Sequence, residues 1–413
     1  LQPPHGARRT LIRESAMSAV TDPSIPTPEI PISEARSFEG YVSAMPVEPQ
    51  VPPVSTTGMV GWLRAHLFSS LGNAALTIVF GALAIYVIWG FVSFAFLDAT
   101  WTGSDREACL AHSGRELGAC WPMIKERLAY FTYGSYPIPQ RWRVDIIFLL
   151  GAIGLVWVLW IDAPRRDLGA LYFFVFLPVA AFCLLYGLPL IGLPITDTDL
   201  WGGFLVTLVI SSAGIVAALP LGILLALGRR SKLTVISIAS TIFIEVARGV
   251  PLITVLFVAK VMLGYFLPER FDPALMVKAL IAVALFSAAY MAEVVRGGLQ
   301  AIPKGQQEGA SSLGLGYWQS MRLVILPQAL RITIPGIVNT FIGGFKDTSL
   351  ILIIGMFDFL KTVEVAVEDP KWATPVSGPT GYLFAAIIYW ICCFGMSRYS
   401  RAVEMRLSVA HKR

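Results

Sequence analysis

The chain has 413 residues, of which 55% are hydrophobic and only 14% charged, and its mean hydropathy is +0.67; a water-soluble domain carries about 25% charged residues. That balance excludes an ordinary soluble globule and makes the bilayer the main solvent. Backbone groups in lipid must be satisfied within their own segment, so the expected fold class is an all-α membrane protein. The formal net charge of +5 fits basic loops at one membrane face, and with no basic run interleaved with aromatics no nucleic acid is expected as a partner.

In chain order, residues 1–58 are rich in Pro, Ser and Glu ("TDPSIPTPEIPISE") and have no periodic apolar face, which predicts a disordered tail. Met17 opens "MSAVTDPSIP" and fits a translation start; the first long apolar run comes too late to serve as a secretory signal. "VGWLRAHLF" (Val60 to Phe68) predicts a short interfacial amphipathic helix. About eight transmembrane helices follow, over 71–97, 144–161, 170–192, 202–227, 234–266, 275–295, 331–357 and 381–399. Each comes near the ~20 residues a crossing needs. The fifth is too long for one simple crossing, and it must tilt, break at Pro251 or begin as an interfacial helix.

Lys and Arg in the short loops set the orientation. "APRRD" (Ala163 to Asp167), "GRRSK" (Gly228 to Lys232), the 296–331 hairpin and the basic tail 406–413 share one side if both termini are cytoplasmic. "PITDTD" (Pro194 to Asp199), "PERFD" (Pro268 to Asp272) and the 358–380 segment fall on the other. The long 98–143 loop is then external and holds Cys109 and Cys120. In a bacterium that compartment is oxidising, so a disulfide there and two free thiols are both open readings. Cys183, Cys392 and Cys393 lie in apolar spans as small hydrophobes, and with no C-x-x-C no metal site is expected.

The cytoplasmic excursion "GQQEGASSLGLGYWQSMRLVILPQALR" (Gly305 to Arg331) is too patterned for a floppy loop. Gln306 to Leu313 gathers Glu308 with Gly309, Ala310, Ser311 and Ser312, whose small side chains let another surface come close. Tyr317, Met321 and Val324 share one face of a second short helix. Gly314 and Gly316 supply φ freedom for the turn between them, and Pro327 is expected to end the second helix. Docking to a partner and resting on the membrane surface are both consistent with this pattern.

Charges within spans are costly and by default mark function or an ion pair. Glu245 and Arg248, at i, i+3 just before Pro251, could hold the two charges of a zwitterionic ligand or neutralise each other. Pro251 could also free backbone groups beside them. Lys346 and Asp347 point in different directions on their helix and face either a substrate path or a neighbouring helix. Glu293 and Arg296 sit at the end of the sixth span, placed to anchor the hairpin. There is no G-x-x-x-x-G-K-[ST], no dinucleotide fingerprint, no H-E-x-x-H and no G-x-S-x-G, so no enzyme activity is expected of this chain. On these residues alone an ion-gradient-driven secondary transporter or channel remains an alternative.

"EGASSLGLGYWQSMRLVILP" (Glu308 to Pro327) resembles the EAA coupling motif of ABC importer permeases, departing at Gly309 for the usual Ala and Val324 for the usual Ile. "ARGVPLITVLF" (Ala247 to Phe257), "AEVVRGGLQAIPKGQQEGA" (Ala292 to Ala310) and "KDTSLILIIG" (Lys346 to Gly355) are similar to the polar amino-acid, HisMQ-like branch. "WGGFLVTLVISSAGIVAALPLGILLALGRRS" (Trp201 to Ser231) and the long N-terminal half resemble the M-type subunit of general L-amino-acid importers. The resemblance implies a type I, MetI-like permease core over 200–405, preceded by a 59–199 extension of about three helices, in a bacterial inner membrane. It implies an ATPase-coupling role for Glu308, Gly309, Ala310, Gly314, Leu326 and Pro327. It also implies three protein partners: a P-loop ATPase that holds ATP and Mg, a second Q-type permease, and a periplasmic amino-acid-binding protein. Membrane lipid surrounds the assembly, and no cofactor is expected in this chain.

Overall fold

A computed structural model describes residues 58–110, 117–160, 163–266 and 273–409. The tail expected over 1–58 lies outside the described residues except for Gly58, as do Arg115, the "PERFD" segment and the last four residues. The chain divides into two compact units, up to Leu83 and from Ala84 onward.

In the first unit, α1 (Gly58–His66) is the short helix expected before the first span. Its Trp62 ring stacks on His66 at 5.0 Å. The Thr77 hydroxyl then donates to Leu67 O at 2.8 Å, fixing the turn into α2 (Leu71–Val92), a helix that runs past Leu83 into the second unit. α2 carries no buried residue and is apolar all round, the character of a helix that lipid solvates on every side.

The second unit holds α3 (Arg106–Leu110), α4 (Trp121–Tyr133) and α5 (Arg141–Leu159). α6 (Arg166–Leu171) runs through a wide turn at Tyr172–Phe176 into α7 (Leu177–Tyr186). Then come α8 (Gly203–Arg229), α9 (Thr234–Gly249), α10 (Leu252–Val261), α11 (Leu263–Phe266) and α12 (Leu275–Ala301). α13 (Lys304–Ser312) and α14 (Tyr317–Ser320) form the hairpin, followed by α15 (Leu326–Asp347), the two-residue strand β1 (Phe357–Asp358), α16 (Phe359–Val367) and α17 (Ser377–Val409).

Among the described residues, seven helical segments are long and apolar enough to cross a membrane, and an eighth would be a broken pair, Thr234–Gly249 and Leu252–Tyr265, bent by 107°. Of the three expectations for the fifth segment, the break at Pro251 is the one observed. Val250 before it is extended, at φ −106° and ψ 136°, because the proline ring disfavours a helical residue in front of it. Pro251 then becomes the residue from which α10 starts afresh.

Helix directions follow from the closest backbone approaches. A Cβ on Gly214 would meet Val283 at 3.0 Å and one on Gly222 would meet Met291 at 2.7 Å, so α8 and α12 run parallel, packed through small residues. Gly298 faces Ala329 and Thr333 while Gly336 faces Val294, so α15 runs antiparallel to α12. The hairpin therefore lies at the end where α8 and α12 finish.

At the opposite end the described residues of the long 98–143 excursion are folded. Cys109 and Cys120 are disulfide-bonded, with Cα atoms 5.6 Å apart. Cys120 N–H donates to Thr380 Oγ1 at 3.0 Å and Arg106 N–H to Lys371 O at 2.9 Å. Lys371 Nζ pairs with Glu126 at 2.7 Å, and Arg127 pairs with Asp369. Beneath these contacts Phe131, Phe359, Val363 and Trp372 form a buried cluster. Gly202 and Gly203 bridge in parallel to Phe357 and Asp358. The result is a cap that joins the 98–136 segment to the 357–380 segment.

Asp358 is the polar centre of this cap. It is fully buried, and it accepts from Leu360 N–H at 3.1 Å, Lys361 N–H at 3.0 Å and Tyr389 OH at 3.3 Å. The two backbone bonds cap α16. Burial pushes its carboxyl up to about 6, against the pull of those hydrogen bonds.

Candidate functional site: the hairpin and the charged junction behind it

The hairpin starts three residues after α12 ends. α13 stops because Gly314 takes φ +76°, a left-handed conformation that costs an L-residue about 1–2 kcal/mol. Gly314 N–H donates to Ser311 O and Leu315 N–H to Ala310 O, satisfying carbonyls that the helix end would leave open. Gly316 does not use its φ freedom. It sits at φ −66°, its N–H donating to Gln319 Oε1 at 3.1 Å, and opens α14.

Pro327 behaves differently from the sequence expectation. The helix does not end there: α14 widens into a single π-type turn over Met321–Ile325 and continues as α15. Leu326 N–H bonds Met321 O, five residues back, which makes room for a ring that would collide with the carbonyl four residues back. Proline here reshapes one turn of a continuous helix. Gln328 Nε2 then ties α15 to α13 through Gln306 Oε1 at 3.0 Å.

The motif residues divide by exposure. Ala310 is buried, Leu326 is half-buried, and Glu308, Gly309 and Pro327 face outward. A Cβ on Gly309 would meet nothing within 4 Å, so the usual Ala would fit there. Leu313 is 81% exposed, Trp318 69% and Leu323 65%. Met321, with Val324 half-buried beside it, turns inward into a cluster with Ile244, Met291 and Ala329. A cleft of about 170 Å³, lined by Gln307, Ser311, Leu315, Tyr317, Ser320 and Met321 among others, opens between the two arms.

Behind the hairpin lies a junction of charges from three helices. Glu293 of α12 receives Arg296 twice, at 3.0 Å and 2.7 Å, Arg229 of α8 at 2.8 Å and Arg248 of α9 at 3.3 Å. Arg229 reaches Glu245 of α9 with its other Nη at 2.8 Å. Arg248 also lies 5.7 Å from the Tyr290 ring centroid. Glu293 and Arg296 are thus placed together, as the sequence suggests. Glu245 and Arg248 each pair with another helix, through Arg229 and Glu293. Sequence reasoning misses Arg229, whose "GRR" reads as an ordinary basic loop; its one signal is its place two residues past the end of the 202–227 span.

Lys346 and Asp347 sit at the far end of α15, away from this junction, where the chain tightens into Thr348–Ile354 and turns at Gly355. Lys346 is exposed and Asp347 half-buried, and neither has a salt-bridge partner among the described residues. Between α8, α12 and α15 a gap of about 10 Å³, room for about one water, is lined by Ser211, Gly214, Ser287, Thr340 and Gly344 among others.

Comparison with known proteins bears on this geometry. Residues 218–409 match the family described as the inner membrane component of binding-protein-dependent transport systems. The inner membrane amino-acid ABC transporter permease protein YhdY of Escherichia coli is 48% identical over 86% of this chain and 94% of its own length. The glutamate/glutamine/aspartate/asparagine transport system permease protein BztC of Rhodobacter capsulatus is 39% identical over 91% of this chain and all of its own. The probable glutamine ABC transporter permease GlnP of Bacillus subtilis, at 32% identity, matches 50% of this chain and 93% of its own. Among solved structures, a crystal structure of an amino acid ABC transporter with histidines is 28% identical over 49% of this chain and 92% of that one, with a TM-score of 0.43.

Proposed function

We infer the role of each region from one premise: this chain belongs to the family of inner-membrane permease subunits of amino-acid ABC transporters. It is a multi-pass membrane subunit and not an enzyme. In such importers an ATPase and a substrate-binding protein are separate components. Our proposal is that the hairpin over 305–331 is the surface on which the ATPase acts, with Glu308, Gly309, Ala310, Gly314, Leu326 and Pro327 setting its shape. One observation carries this: a rigid helix–turn–helix, fixed by Gly314 and the Gln306–Gln328 bond, leaves Leu313, Trp318 and Leu323 uncovered beside a cleft. Exposed apolar groups on a defined scaffold suit protein docking. ATP and Mg would be held by the ATPase.

On this reading the hairpin end faces the cytoplasm with both termini, and the disulfide-bonded cap faces outward. A Q-type permease completes the path, and an amino-acid-binding protein delivers substrate at the cap side. Lys346 and Asp347, at the outer end of α15, are the substrate-path candidates that remain; Glu245 and Arg248 belong to the charged junction. The name of BztC makes glutamate, glutamine, aspartate and asparagine the first substrates to assay. The gradient-driven alternative would leave the hairpin without a task.

The test is to purify the tagged chain from its native membranes in mild detergent and identify bound proteins by mass spectrometry. A P-loop ATPase that is recovered with the wild type and lost with Glu308 and Gly314 substitutions is the expected result. A chain that comes alone and moves amino acids into liposomes without ATP would overturn the reading.

A further inference from the structure

The charged junction has an arrangement that simple anchoring does not require. The charges alternate across three helices, Glu245 to Arg229 at 2.8 Å, Arg229 to Glu293 at 2.8 Å and Glu293 to Arg248 at 3.3 Å. Only the backbone of α9, which carries Glu245 and Arg248 at i, i+3, joins the two ends into a ring. The ring has a fixed side and a loose side. Glu293 is only 15% exposed and is held twice by Arg296 from its own helix, whereas the Glu245 side chain is 56% exposed. The loose side is α9, which the 107° break at Pro251 separates in direction from α10. A single guanidinium, Arg229, spends one Nη on each side. That fork is something a lysine ammonium cannot reproduce.

We propose that Arg229, Glu245, Arg248 and Glu293 form a latch that holds α9 against α8 and α12, with Arg229 as the positioning residue that releases Glu245 when the hairpin is driven. The inference rests on the coupling reading above. Glu293 lies eight residues before α12 ends, and Met321 and Ile325 of the hairpin arm pack in one cluster with Ile244 of α9. Motion of the hairpin therefore reaches both sides of the ring. A latch that opens too easily lets α9 move without a committed substrate, so ATP is spent without import.

The experiment uses the intact transporter, purified with its partners and reconstituted in liposomes, and reads ATP hydrolysed per amino acid imported. Glu245→Gln is isosteric at an exposed site, and Arg229→Lys keeps the charge but not the fork. Each is expected to raise the ratio measurably, by up to about fivefold, the most that losing one partly exposed pair shifts a two-state equilibrium. The double variant should be no worse than either, since both remove the same contact. Wild-type ratios in both single variants, or additive effects in the double, would overturn the latch. Gly314→Pro serves as the separate control. If it abolishes uptake while the ring variants stay tightly coupled, only the latch fails; if it leaves uptake unchanged, the coupling reading fails with it.

Discussion

The two excursions at opposite ends of the helix bundle are built on opposite principles. The cap over 98–136 and 357–380 closes on itself, with a disulfide, two ion pairs across more than 240 residues of sequence, and Trp372 fully buried. The hairpin over 305–331 is shaped as precisely but left uncovered, with a few bonds to set its angle and large apolar side chains facing out. The cap also leaves Trp101 and Leu128 about half exposed, but its centre is filled by its own side chains. The hairpin sets Leu313, Trp318 and Leu323 on a fixed backbone beside a cleft that the chain does not fill, which on the proposed reading is where the ATPase docks.

The sharpest way to break this comparison is at Gly314. No atom lies within 4 Å of a Cβ built there, so Gly314→Ala meets only the backbone cost of φ +76°, and uptake should fall partially. Gly314→Pro cannot reach that φ and also removes the N–H that bonds Ser311 O. It should abolish uptake in whole cells while the amount of chain in the membrane stays at the wild-type level. Equal loss from both variants would mean that the turn tolerates no side chain for reasons of contact, which the structure does not contain.

The cap responds as a stability element. The disulfide links residues 11 apart, and a loop of that size restricts the unfolded chain by about 3 kcal/mol. Cys109→Ser with Cys120→Ser should therefore lower the melting temperature of the purified protein in detergent. Because hydrogen bonds and ion pairs to the 357–380 segment remain, the cap should persist and import should survive at moderate temperature. Reductant should reproduce the shift in the wild type and have no effect on the double variant.

Asp358 sharpens the comparison by pH. Its carboxyl titrates near 6 in the folded protein and near 4 when exposed, so between these values the folded state binds more protons. Stability from this group is therefore greatest below about pH 4, declines as pH rises to about 6, and is flat above. Asp358→Asn keeps an oxygen to cap α16 and has no charge to bury. The melting temperature of the wild type relative to this variant should fall between pH 4 and 6, measured by thermal unfolding in detergent. An unchanged difference across that window would place the titrating group elsewhere.

What was legible in the sequence, and what was not, follows from range. The spans, the break at Pro251, the hairpin and the need for glycine at 314 are local, set by apolar run length, a missing N–H and a sign of φ. Pro327 misled because proline normally ends a helix, and the extra residue in the Met321–Ile325 turn that accommodates it has no marker in the composition. The long-range contacts of the cap and the part Arg229 plays in the junction are hidden for another reason. Glu126 meets Lys371, Cys120 meets Thr380 and Arg229 meets Glu293, partners that only the packing of parallel and antiparallel helices brings together. Arg229 sits in a loop-like "GRR" whose charge already had an explanation in orientation.

The smallest effect comes from the most visible contact. Lys371 Nζ lies 2.7 Å from both oxygens of Glu126, and this pairing holds the glutamate below its usual range. Yet the two side chains are 46% and 38% exposed. Ordering two long side chains in water cancels most of the Coulomb gain, so such a pair contributes less than about 1 kcal/mol. Lys371→Ala should therefore shift the melting temperature far less than loss of the disulfide. The residual effect should vanish in 1 M salt, where the screening length falls to about 3 Å. A large, salt-insensitive loss would mean that the Lys371 side chain works chiefly through its packing on Trp372, whose ring lies 5.7 Å from the ammonium and forms the floor of the cap. The aliphatic Lys371→Met would then restore what Lys371→Ala removes, making the cap a hydrophobic closure in which the ion pairs only fix the register.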